Sequence, residues 1–233
     1  MAEKVLCVKR VEEAFCMESP LLSTVFQSEY NRIQNKLTPF MVRSIYSEYP
    51  VPYPTDYYFE VRDRGPELEA DDSIQQLVVG MVIATAKKDK MLLMECQKGD
   101  MKGFLTLVEG HVTACPYETI SVSRWLFHEM LREYNEELSI QSKLPIDNAI
   151  FPRFATSNNY NKEMRSYYHM GIIFENIISE DNFNLNVIKT GEPGINEPVI
   201  LSISDILDPE SHIRVDDWVY SIAEYYKWES SRI

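Results

Sequence analysis

Sequence motifs of several common enzyme classes are missing from this 233-residue chain. It has no GxGxxG or P-loop sequence that would cradle phosphates, and no HExxH sequence that would hold zinc. It also lacks the G-x-S-x-G turn that presents a serine nucleophile. Only four histidines occur, and they are not spaced as zinc ligands. The sequence therefore does not indicate a Rossmann-type, P-loop, zinc-peptidase or serine-hydrolase function.

Basic residues and cysteines are also few. The 23 Lys and Arg residues are outnumbered by 36 Asp and Glu residues, which gives a net charge of −13. This balance argues against nucleic-acid partners and against an anionic membrane surface, because both need clustered positive charge. The four cysteines lack C-x-x-C spacing and predict buried free thiols in a reducing compartment. They are Cys7, Cys16, Cys96 and Cys115.

Long apolar runs are absent as well. No stretch approaches the ~20 apolar residues of a membrane span, and charges interrupt the first fifteen residues, MAEKVLCVKRVEEAF. We therefore expect no signal peptide and a cytoplasmic location. With 45% hydrophobic residues the chain can form a sizeable core. We predict an N-terminal extension over residues 1–74, including a helix over 21–37 and an extended proline-rich segment over 49–56, packed on a main domain over 75–233. Within the main domain we predict strands over 77–85 and 91–96 joined by the turn KKDK, later strands over 169–178 and 199–202, and a closing helix over 214–229 with Trp218, Ile222 and Tyr225 on one side. His169 is expected to be a packed or hydrogen-bonded histidine.

An acidic helix is the most informative feature of the sequence. The segment RWLFHEMLREYNEEL predicts an apolar stripe made of Phe127, Leu131, Tyr134 and Leu138. The opposite side would carry four carboxylates, which are Glu129, Glu133, Glu136 and Glu137. Carboxylates this close repel one another, and a divalent cation would remove the repulsion because Mg²⁺ binds hard oxygen ligands. The alternative is a solvated face in a chain that is acidic throughout.

The residues before this helix favour the first interpretation. A short strand is predicted over residues 106–108, and a tight turn over residues 109–111. A strand, a glycine turn and a carboxylate helix together can direct a backbone carbonyl and side-chain oxygens at one ion.

The segment from Gly110 to Ile140 resembles the Nudix hydrolase box, G-x5-E-x7-R-E-U-x-E-E-x-G-U, in which U is apolar. The R-E-U-x-E-E core, which is REYNEE in this chain, matches at every fixed position. Elsewhere the sequence departs from the box. Arg124 stands where the earlier Glu is expected, Glu109 replaces a glycine, and Ser139 replaces the late glycine. From Gly110 to the Arg of REYNEE is 22 positions against 14 in the box, an insertion of eight.

Shorter motifs resemble a Nudix subset described as predicted phosphoesterases. One is the Arg and acidic turn over residues 64–76, and another is the histidine that follows Gly110. YHMGIIF over 168–174 and DDWVYS over 216–221 complete the set. Their order along the chain extends the resemblance to about residues 57–227.

The resemblance implies a fold, a reaction and a set of site residues. The fold would be a Nudix-like α/β/α sandwich with a mixed β-sheet. The reaction would be metal-dependent hydrolysis of a diphosphate linkage in a nucleoside diphosphate derivative, with Mg²⁺ or Mn²⁺ as cofactor. Glu133, Glu137 and the carbonyl of Glu109 would hold metal, and Glu136 would hold a second ion or the attacking water. Arg132 would orient the glutamates.

Substrate-binding residues are harder to assign from sequence. His111 could contact phosphate or stabilise a turn. Tyr160 could stack on a nucleobase, although the chain has 14 tyrosines. Glu163 is a candidate base or a solvated loop charge, and Glu192 carries the same ambiguity. The expected partner is a small molecule, and a homodimer is left open.

Two other interpretations remain. The chain could be a non-catalytic Nudix-fold module that binds a nucleotide or a protein, which Arg124 favours. It could also be an unrelated α/β protein with a purely structural acidic helix.

Overall fold

The computed structural model of the chain describes residues 3–9, 58–61, 74–99, 101–112, 122–139, 144–146, 152–156, 169–186 and 188–232. The strands are β1 (Glu3–Lys9), β2 (Tyr58–Val61), β3 (Ile74–Thr85), β4 (Lys90–Cys96), β5 (Phe104–Thr106), β6 (Val108–His111), β7 (Pro152–Thr156), β8 (His169–Ile178), β9 (Asn196–Ser202) and β10 (Arg214–Val215). The helices are α1 (Val122–Glu137), α2 (Ile203–Ile206) and α3 (Asp217–Ser230), with a 3-10 turn at Glu180–Asn182.

These elements fall into two compact units. The first comprises Met1–Val79, Gly110–Met130 and Arg153–Ile172. The second comprises Gly80–Glu109, Leu131–Pro152 and Ile173–Ile233. The predicted division between residues 1–74 and 75–233 stays a prediction.

In the first unit, β1 pairs antiparallel with both β2 and the beginning of β3. Lys4 lies opposite Glu60, and Cys7 lies opposite Gln76. Beyond β6 the N–H of Val112 donates to the carbonyl of Leu77 at 3.0 Å. The apolar interior of this unit includes buried residues from β3, β7, β8 and α1, among them Leu77, Phe154, Ile172 and Leu126.

The second unit contains a mixed sheet centred on β4. β9 runs antiparallel to β4 along its whole length, from Lys90 opposite Ser202 to Cys96 opposite Asn196. β3 and β5 are also antiparallel to β4, whereas β10 is parallel to β5. The predicted α/β class with a mixed sheet is therefore confirmed.

The C-terminal helix α3 begins later than the sequence suggested. A helix from Arg214 was predicted, but Arg214–Val215 form β10. The reason is the side chain of Asp216, which accepts the N–H of Val219 at 2.9 Å and caps the helix at its first turn. The predicted apolar side of α3 is confirmed by the burial of Trp218, Ile222 and Tyr225.

The region before α1 differs from the prediction. Leu107 separates β5 from β6, so residues 106–108 are not one strand. Residues 109–111 are extended within β6, which pairs with β3, and do not form a tight turn. The glycines with positive φ are Gly99, Gly103 and Gly194 in the described part of the chain, so Gly110 does not use the left-handed conformation.

Other predicted elements agree with the structure. The strand over 169–178 is confirmed as β8. The strand predicted over 199–202 begins at Asn196. The helix over 21–37 and the segment over 49–56 lie outside the described residues. Cys96 is half-buried. No helix in the described ranges is long and apolar enough to cross a membrane.

Candidate active site

Helix α1 presents a different side to the core from the one predicted. Its buried apolar residues are Leu126, Met130 and Tyr134, and Leu138 continues the stripe just beyond the helix. The predicted members Phe127 and Leu131 are only half-buried. The observed stripe shares Tyr134 and Leu138 with the predicted one, and its other two members lie one position earlier, which rotates the buried side of the helix toward Glu129 and Glu137. The prediction is therefore confirmed for Tyr134 and Leu138 and wrong for Phe127 and Leu131.

This rotation changes the environment of the glutamates. Glu129 and Glu137 are buried rather than solvated, and Glu137 is only 8% exposed. The side chain of Glu133 is 13% exposed, whereas that of Glu136 is 51% exposed. The four carboxylates are therefore not equivalent. Glu137 is both buried and a predicted metal ligand.

Donors on two different strands hold the carboxylate of Glu137. The backbone N–H of Glu109, in β6, donates to its Oε2 at 3.2 Å. The side-chain Nδ2 of Asn196, at the start of β9, donates to its Oε1 at 3.2 Å. Each oxygen thus has one fixed hydrogen bond, and a carboxylate oxygen can accept a further contact.

The carboxyl of Glu137 lies in an environment that disfavours its charge. Burial raises its pKa well above the ordinary value of 4.5. The negative charges of Glu109, Glu133 and Glu192 raise the pKa further, and the hydrogen bond from the Glu109 N–H opposes them. A nearby cation would reverse this balance by favouring the ionised form.

Arg132 bridges two of the other glutamates. Its Nη2 donates to Oε1 of Glu133, and its Nη1 donates to Oε2 of Glu136 at 2.8 Å. The side chain that the resemblance assigns to orienting glutamates is therefore placed between two of them.

A turn from a distant part of the chain closes the end of α1. The N–H of Gly191 donates to the carbonyl of Glu137 at 2.7 Å, and the hydroxyl of Thr190 lies 3.3 Å from the same oxygen. A Cβ on Gly191 would come within 2.2 Å of the carbonyl oxygen of Glu136. This position therefore requires glycine for its close approach.

The same turn supplies residues that sequence reasoning did not assign. Asn196 also donates through Nδ2 to Oε2 of Glu192 at 3.3 Å. Glu192 appeared in the sequence as an ambiguous acidic residue, and Asn196 gave no signal at all. Asn196 lies 59 positions from Glu137, so no helical spacing could have connected them.

The structure describes only some of the predicted substrate-binding residues. His111, in β6, and His169, in β8, both belong to the first unit, and their rings lie 5.6 Å apart. His169 is buried, as expected for a packed histidine. Tyr160 and Glu163 lie outside the described residues.

The residues around Glu137 fit a divalent cation in donor type and in charge. Glu109, Glu133, Glu137 and Glu192 offer the hard oxygen donors that Mg²⁺ and Mn²⁺ prefer. Across the residues that the structure describes, no three His, Cys, Asp or Glu side chains already form a group that could hold an ion. Binding would therefore require these carboxylates to converge.

Comparison with known proteins identifies the fold. No family model matches the sequence, and no curated protein matches it. Among solved structures, Tm1382, described as a candidate Nudix hydrolase, is 16% identical and matches with a TM-score of 0.50. The match covers 96% of this chain and 97% of that one. The fold of this chain is similar to that of Tm1382. The Nudix-like fold predicted from the REYNEE segment is thereby confirmed.

Two further Nudix structures match a smaller part of the chain. The NUDIX domain of Shewanella oneidensis NrtR, solved with ADP ribose, is 16% identical with a TM-score of 0.46, and covers 66% of this chain and 88% of its own. A MutT NUDIX hydrolase from Burkholderia pseudomallei is 17% identical with a TM-score of 0.37, and covers 65% of this chain and 98% of its own.

Proposed function

We propose that this protein is a metal-dependent hydrolase of a diphosphate linkage in a nucleoside diphosphate derivative. The observation that carries the proposal is the environment of Glu137. Its carboxylate is buried, held at both oxygens, and acted on by the charges of three other glutamates. A buried group of this charge needs a cation to be stable in its ionised form.

Glu133 and Glu137 are the ligands we assign first. They lie four positions apart on α1, which places them on the same side of the helix. Glu109 and Glu192 add negative charge around Glu137 from outside the helix. When bound, a divalent cation would neutralise the diphosphate oxygens and lower the pKa of a bound water.

Arg132 places a positive charge next to two of the glutamates. By pairing with Glu133 and Glu136 it offsets part of their repulsion, and it fixes the orientation of the Glu133 carboxylate. Because Glu136 is half-exposed, its assigned role at a second ion or at the attacking water would involve the outer part of the site. His111 is proposed to contact the substrate phosphates.

A second candidate function is a non-catalytic module that binds a nucleotide or a protein. The absence of a preformed three-ligand group among the described side chains favours it, as does Arg124 at the position of a box glutamate. Turnover separates the two functions.

The experiment compares hydrolysis by the wild type, Glu137→Gln and a control, Glu224→Gln. Glu224 is an exposed glutamate of α3, so its substitution removes the same charge elsewhere. A panel of nucleoside diphosphate derivatives would be tested with Mg²⁺ and with Mn²⁺, and released phosphate or monophosphate would be measured. We expect wild-type turnover that falls about 10²–10³-fold in Glu137→Gln and is unchanged in Glu224→Gln.

Two results would contradict the proposal. A wild type that turns over no compound in the panel but binds one of them would support the binding module. Equal turnover by the wild type and a folded Glu137→Gln protein would place the chemistry elsewhere.

A further inference from the structure

The side chain of Asn196 joins two carboxylates that come from different parts of the chain. Its Nδ2 lies 3.2 Å from Oε1 of Glu137 and 3.3 Å from Oε2 of Glu192. An amide nitrogen carries two hydrogens, so it can donate one to each carboxylate. The two glutamates are therefore held by one neutral donor.

Asn196 is itself fixed in place by its backbone. It is the first residue of β9, where it lies opposite Cys96 of β4. Its carbonyl accepts the hydroxyl of Thr190 at 2.8 Å, and its N–H donates to the carbonyl of Glu192 at 3.2 Å. A strand position with both backbone groups bonded gives the side chain a defined origin.

The effect on Glu137 is to fix the plane of its carboxylate. Asn196 holds one oxygen from β9, and the N–H of Glu109 holds the other from β6. Rotation about the last side-chain bond would break both contacts. Since each oxygen can accept two hydrogen bonds or ligand contacts, one lone pair on each remains for a cation.

We propose that Asn196 is a positioning residue that holds the Glu137 carboxylate in the orientation needed to bind a divalent cation. The proposal rests on the metal-dependent function proposed above. A neutral amide suits this role because it orients the carboxylates without cancelling the charge that attracts the cation. A lysine or arginine at this position would cancel that charge.

The simpler alternative is that Asn196 only ties the turn to the end of α1. Other groups already serve that purpose. The N–H of Gly191 and the hydroxyl of Thr190 both reach the main-chain carbonyl of Glu137, not its carboxylate. Thr190 therefore offers a control. Thr190→Val removes the hydroxyl contacts to the main-chain carbonyls of Glu137 and Asn196, but it leaves both donors of the Glu137 carboxylate and the pairing of Asn196 with Cys96 in place.

The test measures Mn²⁺ affinity of the full chain for the wild type, Asn196→Ala and Thr190→Val. Mn²⁺ alone is the probe, and free Mn²⁺ is followed by its electron paramagnetic resonance signal. Unfolding midpoints in chelator record how far each substitution loosens the fold. We expect both variants to be less stable than the wild type, and only Asn196→Ala to bind Mn²⁺ more weakly, by about 10–100-fold.

The outcomes distinguish this positioning role from the metal-dependent function on which it rests. A wild type that does not bind Mn²⁺ overturns the metal-dependent function and this role with it. A wild type and an Asn196→Ala protein that bind Mn²⁺ equally overturn the positioning role alone. Equal loss of affinity in Thr190→Val also overturns it, because loosening the turn would then suffice. If Asn196→Ala does not fold, Asn196→Val replaces it with the same expectation, since valine also lacks a donor and a β-branched residue suits a strand.

Discussion

Without metal, the negative charge of Glu137 should destabilise the folded protein, and Glu137→Gln should relieve it. Glutamine keeps the size of the side chain but offers one carbonyl oxygen where the carboxylate has two. It therefore retains one of the two hydrogen bonds, from the Glu109 N–H or from Asn196, and loses about 1.5–3 kcal/mol.

The relief of repulsion is larger than this loss. Two unit charges ~6 Å apart repel by roughly 3 kcal/mol at an effective dielectric constant of about 20. Three such charges act on Glu137, namely those of Glu109, Glu133 and Glu192. The side chains of Glu133 and Glu192 are half-buried, so water screens part of their repulsion. We expect a net gain on the order of 2–4 kcal/mol, which corresponds to a rise in Tm of roughly 5–15 °C for a chain of this size.

The gain in stability of Glu137→Gln over the wild type should depend on pH, and the raised pKa of Glu137 gives its direction. The pKa of Glu137 in the folded protein is raised above 4.5, so the folded state binds this proton more tightly than the unfolded state does. The stability contributed by the protonated carboxyl is fully present below pH 4.5 and is lost as the pH rises through the raised pKa. Glu137→Gln should therefore be clearly more stable than the wild type at pH 8, and this difference in stability should disappear as the pH falls.

The assay is thermal or urea unfolding in chelator between about pH 4.5 and 8.5, with Glu224→Gln as the control for the loss of one negative charge. A Glu137→Gln protein that is less stable than the wild type at pH 8 would refute the reasoning, because the carboxylate would then be compensated already. Saturating Mn²⁺ should reverse the order, since it stabilises the wild type by about 2.7 kcal/mol at 100 times its Kd and needs the ionised carboxylate.

Three further predictions concern the packing of the same region, each checked by urea unfolding. Met130→Ala should cost about 2–5 kcal/mol and Leu131→Ala clearly less, and the opposite order would restore the stripe predicted from sequence. Tyr134→Phe should gain about 1 kcal/mol, because its buried hydroxyl has no hydrogen-bond partner among the described residues; Tyr226→Phe, which loses a 2.7 Å bond to a glutamate, should instead be destabilised. Gly191→Ala should cost about 1–3 kcal/mol or more through its backbone clash, and an unchanged protein would show that the turn can move away from α1.

Local patterns were sufficient to predict much of the sheet. The strand His169–Ile178 was predicted from a dense run of β-branched and apolar residues. The hairpin of β3 and β4 was predicted from two such runs separated by the polar turn KKDK. The turn is stabilised within itself, since Thr85 donates to Asp89 at 2.6 Å. Where a segment and its partner are close in sequence, composition decides the structure. The parallel pairing of β10 with β5 brings together segments more than a hundred residues apart, and no local pattern indicated it.

The orientation of α1 could not be decided in the same way. Leu126 and Met130 form one i, i+4 series with Tyr134, and Phe127 and Leu131 form its neighbour. Both series are apolar, so periodicity alone does not choose between them. Packing chose the first, at the cost of burying Glu129 and Glu137.

The burial of Glu137 is a property of the tertiary structure and not of the helix. On an isolated helix this carboxylate would be solvated, and the REYNEE segment would be only an acidic face. It becomes a distinct site because β6 supplies the Glu109 N–H, the start of β9 supplies Asn196, and the turn before β9 supplies Glu192. Glu109 lies 28 positions from Glu137 in the sequence, and Asn196 lies 59 positions from it. If the metal proposal holds, substitution of Glu137 should therefore weaken Mn²⁺ binding far more than the same substitution of the exposed Glu136, although both belong to the same motif.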